Sequence, residues 1–440
     1  MAFLLPAVPF TRRGGSGKEI EMYLKGVLIV LLGVFVVLVS HVPSRSQMSN
    51  EELLLELKLL KERVQELEQE IRQRSAAGEQ KSSHQEFDRI RSEDERVSTE
   101  LTRLGEENKG MKGILDEISH RVTVNGLVEI EASYSSLERK GDKGDEKTSD
   151  ITLATAQLEF DAPIHEYVNA HLILLWEEDD TEPLDVDEGT ITLGASETFP
   201  FYLLAGRFYP SYGEFNTYFI SDPLTLEVAE TRESAAAVGY VGTWANLSIG
   251  GFNGDVSDEE DDRINSWWAN AQVYNPEGTL GLFRVKLGAS YFSNLADSDM
   301  LSERVPDRKL QELVAGFSVF GIGSVGPVSL SAEYVTSLDD FRPGELDFAV
   351  LNEEARSAKP SAWNLELAFS FLEKFQVAGK YERSMDLYSL LPQVRYGGVF
   401  GWEIFPFTTW SIEYLHGVYD DNDEDLDKED VVTSQLAVEF

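Results

Sequence analysis

Two hydrophobic periodicities divide the chain near residue 120. Before that point apolar residues recur every three or four positions. Leu53, Leu57, Leu60, Val64, Leu67 and Ile71 form one run; Phe87, Ile90, Asp94, Val97, Leu101, Leu104, Asn108, Met111, Leu115, Ile118 and Val122 form a second. This spacing is the a/d seam of a coiled coil. The small and polar stretch from Ser75 to Ser83 separates the two runs, and Asp94 and Asn108 are polar seam positions of the kind that fix register or oligomer state. The seam predicts a helical coiled coil over 48–120 that self-associates, with a trimer favoured by the domain that follows.

From residue 121 the period is two. Val122, Val124, Gly126, Val128, Ile130, Ala132 and Tyr134 share one parity, while Asn125, Glu129, Glu131 and Ser133 share the other. One apolar and one polar face is the signature of a sheet. The alternation recurs to the last residue and predicts sixteen strands: 121–136, 150–162, 167–178, 189–195, 201–213, 234–244, 245–255, 263–276, 278–293, 309–321, 327–337, 361–373, 375–386, 392–405, 408–420 and 430–440. The connections alternate between short and long, the long ones falling at 137–149, 178–188, 214–233, 255–262, 294–308, 338–360, 387–391 and 421–429. With the coiled coil in the periplasm, every long connection lies outside the cell and every short one in the periplasm. An even strand number with this asymmetry describes an all-β transmembrane barrel of antiparallel strands in the outer membrane. The last strand, with Val432, Leu436, Val438 and terminal Phe440 on one face, resembles the signal by which such barrels are recognised for insertion.

The N-terminus carries one more signal. Gly26 to Val39 is an unbroken apolar run of 14 residues behind Lys25. It is shorter than the roughly 20 residues of a bilayer-spanning helix and reads as a secretory signal peptide. Residues 1–44 are therefore expected to be a signal segment, with Met22 as an alternative start. A membrane anchor is the competing reading, and both take the remainder out of the cytoplasm.

Charge sharpens the picture. The chain of 440 residues has 38 Lys+Arg, 78 Asp+Glu and no cysteine. The net charge of −40 argues against a nucleic-acid partner, and the missing thiols exclude cysteine metal sites and disulfides. Acidic runs such as Asp255 to Asp262 and Asp420 to Asp430 all fall on external connections. They are expected to be solvated surface, with Ca²⁺ or Mg²⁺ binding that bridges lipopolysaccharide, and enrichment of cations by field focusing, as the alternatives. No cofactor is implied. The six histidines form no H-x-x-x-H, and G-x-S-x-G and the phosphate-binding loop are absent, so no enzyme is expected. His416 beside Glu413 is the nearest thing to a catalytic pair, and both read better as wall residues.

Strand parity assigns side chains to lipid or lumen. It places Arg207, Arg284, Lys286, Lys380 and Arg395 inward, together with Glu129, Glu131, Glu333, Glu366, Glu382, Glu403, Glu413 and Glu439. Inward is the expectation for charge, because a lipid-facing charge at the midplane costs roughly 2–4 kcal/mol. The third long connection, EFNTYFISDPLTLEVAETRE (214–233), resembles the loop that folds into the pore of sixteen-strand porins. Asp222, Glu227, Glu230, Arg232 and Glu233 would then line a constriction; a plain surface loop is the alternative.

The segments RVTVNGLVEIEASYSS (121–136), ITLATAQLEFDAPIHEYVNAHLILLWEED (151–179), FYLLAGRFYPSYGEFNTYFISDPLTLEVAETRESAAAVGY (201–240) and DRINSWWANAQVYNP (262–276) follow the signal and coiled coil. In that order they resemble the LbtU-type siderophore porins of Legionella-like γ-proteobacteria. The block at 206–225 is the most specific part. The resemblance implies TonB-independent passage of an iron–siderophore complex across the outer membrane. It carries no ligand residues; the five inward bases form the expected path for an anionic chelate. The alternatives are a general cation-preferring or oligosaccharide porin, and a structural tether between outer membrane and cell wall.

Overall fold

A computed structural model of the protein describes residues 122–440, apart from 142–143, 179–182, 197, 259–262, 352–353 and 421–424. The expected signal segment and the coiled coil over 48–120 lie outside the described residues.

The strands are β1 (Thr123–Arg139), β2 (Glu146–His165), β3 (Val168–Trp176), β4 (Asp185–Gly194), β5 (Phe201–Phe208), β6 (Glu233–Val241), β7 (Ala245–Phe252), β8 (Ser266–Tyr274) and β9 (Phe283–Phe292). There follow β10 (Gly316–Val325), β11 (Val328–Ser337), the two-residue strands β12 (Val350–Leu351) and β13 (Glu354–Ala355), β14 (Ser361–Phe371), β15 (Phe375–Met385), β16 (Val394–Phe405), β17 (Thr408–Val418) and β18 (Leu426–Glu439). Sixteen of them close a barrel in which each pairs with its sequence neighbours; β12 and β13 form a separate ladder between β11 and β14. All pairings are antiparallel, and β1 joins β18 to complete the ring.

The sixteen expected strands correspond one to one with the barrel strands, and the differences lie at their ends. The expected fifth strand ran to 213, but β5 stops at Phe208. Pro210 follows, which has no N–H to donate to a ladder. The expected tenth strand began at 309, whereas β10 begins at Gly316. The apolar residues Leu310 and Val314 are buried instead in a core among the long loops, with Val256, Phe341 and Leu346. The turn before β9 is longer than expected because Gly278 and Gly281 bridge to each other before the strand begins.

The outer surface is apolar, with two aromatic belts. Near the turn end Phe371, Phe375 and Trp402 stack in sequence. Toward the long-loop end Trp363, Tyr381, Tyr396 and His416 form a chain of ring contacts across four strands. Trp363 and Phe371 stand on one strand, eight residues apart. That is about 27 Å at about 3.4 Å per residue, or about 20 Å along the axis at a tilt of about 40°. Between the belts lie exposed aliphatic residues such as Leu365, Leu367, Leu330 and Ile412. Such a band flanked by aromatic girdles is the outside of a membrane barrel.

The barrel interior is packed on one side. The buried cluster of Phe208, Tyr212, Leu224, Val228, Trp268, Phe292, Leu295, Leu301 and Leu387 joins inward wall residues to the third, fifth and seventh long loops.

Candidate functional site: the third loop and the lumen wall

The third long loop, 209–232, leaves β5 and lies against the inner wall rather than on the surface. It contains one short helix, α1 (Leu224–Ala229). Its backbone N–H groups have no ladder partner, and inside a barrel each needs an acceptor. The wall supplies carboxylates. Glu333 on β11 accepts from the amides of Glu214 (2.8 Å) and Phe215 (2.9 Å). Glu366 on β14 accepts from Thr217 Oγ1 (2.7 Å) and the Tyr218 amide (2.8 Å). Glu413 on β17 accepts from the Ile220 amide (2.7 Å) and from Ser221. Glu382 on β15 accepts from the Leu224 amide (2.9 Å). The loop thus crosses from β11 to β17 and turns back to β15. Charge-assisted bonds of this kind contribute roughly 1.5–3 kcal/mol each.

Basic side chains complete the attachment. Lys286 on β9 pairs with Glu214. Lys380 on β15 has no exposed side-chain surface; its Nζ lies 3.8 Å from Glu366 and 3.7 Å from Glu382 and donates to the Ser221 carbonyl (3.2 Å). It also sits 4.5 Å above the Phe219 ring, which packs on Ala368, Ala378, Val399 and Leu415. Arg395 Nε donates to Glu382 (2.6 Å) and its Nη2 to the Asp222 carbonyl.

Three expectations from parity are corrected. Four of the acids assigned to an open lumen face inward but serve as acceptors for the loop, so the exposed wall is less acidic than the inward count implies. Lys380 and Arg395 face inward but stand behind the loop, the first fully covered and the second 15% exposed. They do not line an open path. Arg207 does not share the inward register. It falls with Phe201, Leu203 and Ala205, the exposed side of β5, and pairs with Gly189 and Ser234. It sits at the long-loop end, 3.6 Å from Asp185, where its charge stays at the rim. The other two bases keep their expected register. Arg284 pairs with Glu277 at the turn end, and Lys286 remains 32% exposed.

His416 and Glu413 lie three residues apart on one strand and point to opposite faces. Glu413 faces the loop, while His416 Nδ1 meets Asp430 on the outer surface (2.8 Å). The expectation that both are wall residues fits this geometry.

Four of the five residues singled out in the sequence, Asp222, Glu227, Glu230 and Arg232, come together at the loop's returning half, and the fifth, Glu233, is the first residue of β6. Asp222 precedes α1, Glu227 lies in its first turn and Glu230 caps its end. Arg232 Nη1 bonds the buried carboxylate of Asp187 (2.8 Å), which also accepts from Tyr209 (2.9 Å). The helix end meets the fifth long loop, whose helix α2 spans Asp299–Ser302: the Asp299 amide donates to the Glu230 carbonyl (2.8 Å), and Asp299 Oδ1 accepts from the Arg232 amide (3.3 Å). Carboxylates therefore crowd this junction. Burial pushes Glu230 up to about 8, helped by Asp299, Asp222 and Glu227. Burial pushes Asp299 up to about 6, against the opposing pull of Arg232. Asp297 is also raised by burial, to about 6, although Ser266, Val256 and Asn294 donate to it.

Sequence reasoning singled out the loop that lies against the inner wall. It missed the role of the wall acids, because alternation reports the face a side chain takes and not the partner that waits there.

No family model matches the chain. The chain is 26% identical over 341 residues to a UPF0422 protein of Coxiella burnetii, which covers 74% of this chain and 70% of that protein. It is 23% identical over 331 residues to a UPF0422 protein of Legionella pneumophila strain Lens, covering 68% of this chain and 59% of the relative. The chain thus spans less than two thirds of that relative's length. Among solved structures it is similar in fold to OprB of Pseudomonas putida, with a TM-score of 0.50 at 10% identity over 75% of this chain and 97% of that one. The outer membrane channel DcaP of Acinetobacter baumannii gives 0.49 at 14% identity over 72% and 97%. At such identities the likeness concerns the fold. The relatives' names carry no siderophore.

Proposed function

We propose that this protein is an outer-membrane porin that passes small hydrophilic solutes and prefers cations. One observation carries the reading: the third loop is strapped to the inner wall by buried carboxylates, where it would narrow the barrel. Asp222 and Glu227 sit on its returning half, joined by Glu230 once that group ionises near pH 8, and Glu131 and Glu159 stand on the inward faces of β1 and β2. The two aromatic belts and the apolar band between them support the membrane setting. A constriction bounded by carboxylates enriches cations by its field. The basic side chains that would counter it are held in ion pairs, as Lys380, Arg395, Lys286 and Arg232 are. Self-association through the coiled coil, as a trimer, is part of the same proposal.

The test is a planar-bilayer measurement on the purified full chain across a tenfold KCl gradient. A reversal potential of the sign for K⁺ is expected. An anion-selective channel, or no conductance at all, would sink the reading.

The narrower reading, passage of an iron–siderophore complex without TonB, rests on the block at 206–225. Arg284 and Lys286 are the inward bases with solvent-reaching surface that an anionic chelate could meet. Adding ferric siderophore in the same bilayer decides it. A small conductance blocked by micromolar chelate favours the dedicated channel; a steady conductance indifferent to it leaves the general porin.

A further inference from the structure

We propose that His171, Asp161 and Glu159 form a binding site for a divalent transition-metal cation on the lumen wall, with Zn²⁺ as its model ligand. The strand register builds it. Asp161 on β2 pairs directly with His171 on β3, three rungs from the turn that joins the two strands. Glu159 lies two residues along β2 and so shares the face of Asp161. The edge of the imidazole carrying Nδ1 lies 2.9 Å from Asp161 Oδ1 and 3.9 Å from Glu159 Oε1. The three ligand atoms all stand within 4.8 Å of one another. Asn125 on β1 donates to the other oxygen of Glu159 (3.4 Å), which leaves Oε1 turned toward the ring.

The local charge asks for a cation. Glu188 on β4 lies close enough to interact with both His171 and Glu159, and among the described residues the charges acting on it are those of His171, Asp187 and Glu159. Three carboxylates therefore share a single imidazole. The side chains of His171, Glu159 and Asp161 are 21%, 24% and 36% exposed, so an ion can enter from the lumen. A first-row metal binds N and O ligands at about 2.0–2.2 Å, so its ligand atoms stand up to about 4.2 Å apart. Rotation within the three side chains covers the difference. One nitrogen with two carboxylates suits Zn²⁺, whereas Ca²⁺ and Mg²⁺ take oxygen ligands. The site is distinct from the third loop, and its metal binding can be read without any assumption about conductance.

The experiment is calorimetric titration of the metal-stripped full chain in detergent with Zn²⁺, and with Mg²⁺ in parallel. Zn²⁺ should bind with one strong site per chain, and Mg²⁺ should bind at least tenfold more weakly. His171→Ala should weaken the strong site at least tenfold and Glu159→Gln should weaken it too, with heat-modifiable gel migration confirming that each variant is a folded barrel. His171→Gln serves where the alanine variant fails to fold. No Zn²⁺ site, a Zn²⁺ site that persists in the folded His171 variants, or equal affinity for Mg²⁺ would each overturn the proposal.

Discussion

Glu413 on β17 takes the hydroxyl of Ser221 at 2.5 Å and its amide at 3.2 Å, although 192 residues separate the two in sequence. The Ile220 amide joins them at 2.7 Å. One carboxylate thus holds the far reach of the third loop. Glu413→Ala strands three donors, and each buried donor without an acceptor costs roughly 1–3 kcal/mol. Part of that cost vanishes as the loop moves away, so the attachment should weaken by about 2–4 kcal/mol. The barrel should still assemble, because Glu413 belongs to the loop contact and the ladders around it are intact. The expected outcome is a larger, noisier single-channel conductance with faster proteolytic cleavage within 209–232. Unchanged conductance and unchanged cleavage would show that the loop does not depend on this contact.

Lys380 tests the same attachment from the opposite charge. Its side chain, Glu366 and Glu382 are all fully buried. Removing one member of a buried ion group leaves charge without compensation, at a cost of roughly 3–5 kcal/mol. Lys380→Met should lower the thermal midpoint clearly. Adding Glu366→Gln removes the uncompensated charge and should restore part of the loss. A double variant less stable than the single one by a further full increment would mean that the two residues do not interact. Were Lys380 instead an open binding residue, the single variant would alter solute block and leave the thermal midpoint in place.

The sequence made the barrel legible because one physical rule governs almost every position: a side chain on a closed sheet faces lipid or lumen, and alternation reports which. Val328, Leu330 and Tyr334 against Ser329, Ser331 and Glu333 needed nothing more. Arg207 escaped the rule at a strand end, where its long side chain reaches Asp185, the carboxylate that Arg232 of the third loop also meets. The site was less legible. Glu333, Glu366, Glu382 and Glu413 look like any lumen acids, and only the loop folded across them reveals that they bind backbone amides. Helix α1 was also hidden: six residues after Pro223 carry too little periodicity to separate from a loop.

The barrel seam closes on a pair that the sequence marked only by its last residue. The Phe440 ring lies over Gly126, where a Cβ would come within 2.4 Å of the ring atoms. The two residues also exchange backbone hydrogen bonds, 2.7 Å from the Gly126 amide and 3.0 Å back. Any side chain at 126 must displace the ring. Because Phe440 is 41% exposed and its ring can swing aside, Gly126→Val should destabilise the folded barrel by about 1 kcal/mol, the low end of the cost of overpacking. Urea titration of refolded protein, followed by heat-modifiable migration, measures it. Gly126→Val combined with Phe440→Ala should be less destabilised at the seam than the sum of the two single changes. Strict additivity would mean that ring and glycine are independent.

The carboxylate junction between α1 and α2 makes the loop sensitive to pH in a defined direction. Glu230 titrates at about 8 and Asp299 and Asp297 at about 6, all above their ordinary values because burial disfavours the charged form. The folded state therefore binds protons more tightly than the unfolded one. Stability must fall as pH rises, from the ordinary carboxylate range near about 4 up to about 8, and the loss is complete once Glu230 is ionised. The pore follows the same groups. Near pH 5 these three are largely neutral, as is Glu233, which burial and the neighbouring Asp255, Asp297 and Asp299 push up to about 7; by pH 9 the junction has gained four negative charges, the last of them from Glu230 beside Asp222 and Glu227. Cation selectivity should rise across that range, with Glu233 acting near pH 7 and the uppermost step, near pH 8, belonging to Glu230. Glu230→Gln is expected to remove that upper step and to flatten the high-pH loss of stability, while leaving the rise between pH 5 and 7 in place. Reversal potentials at pH 5, 7 and 9 on both proteins separate the contributions. A wild-type selectivity that does not change between pH 7 and 9 would mean that Glu230 is already charged at neutrality or does not act on the permeating ion.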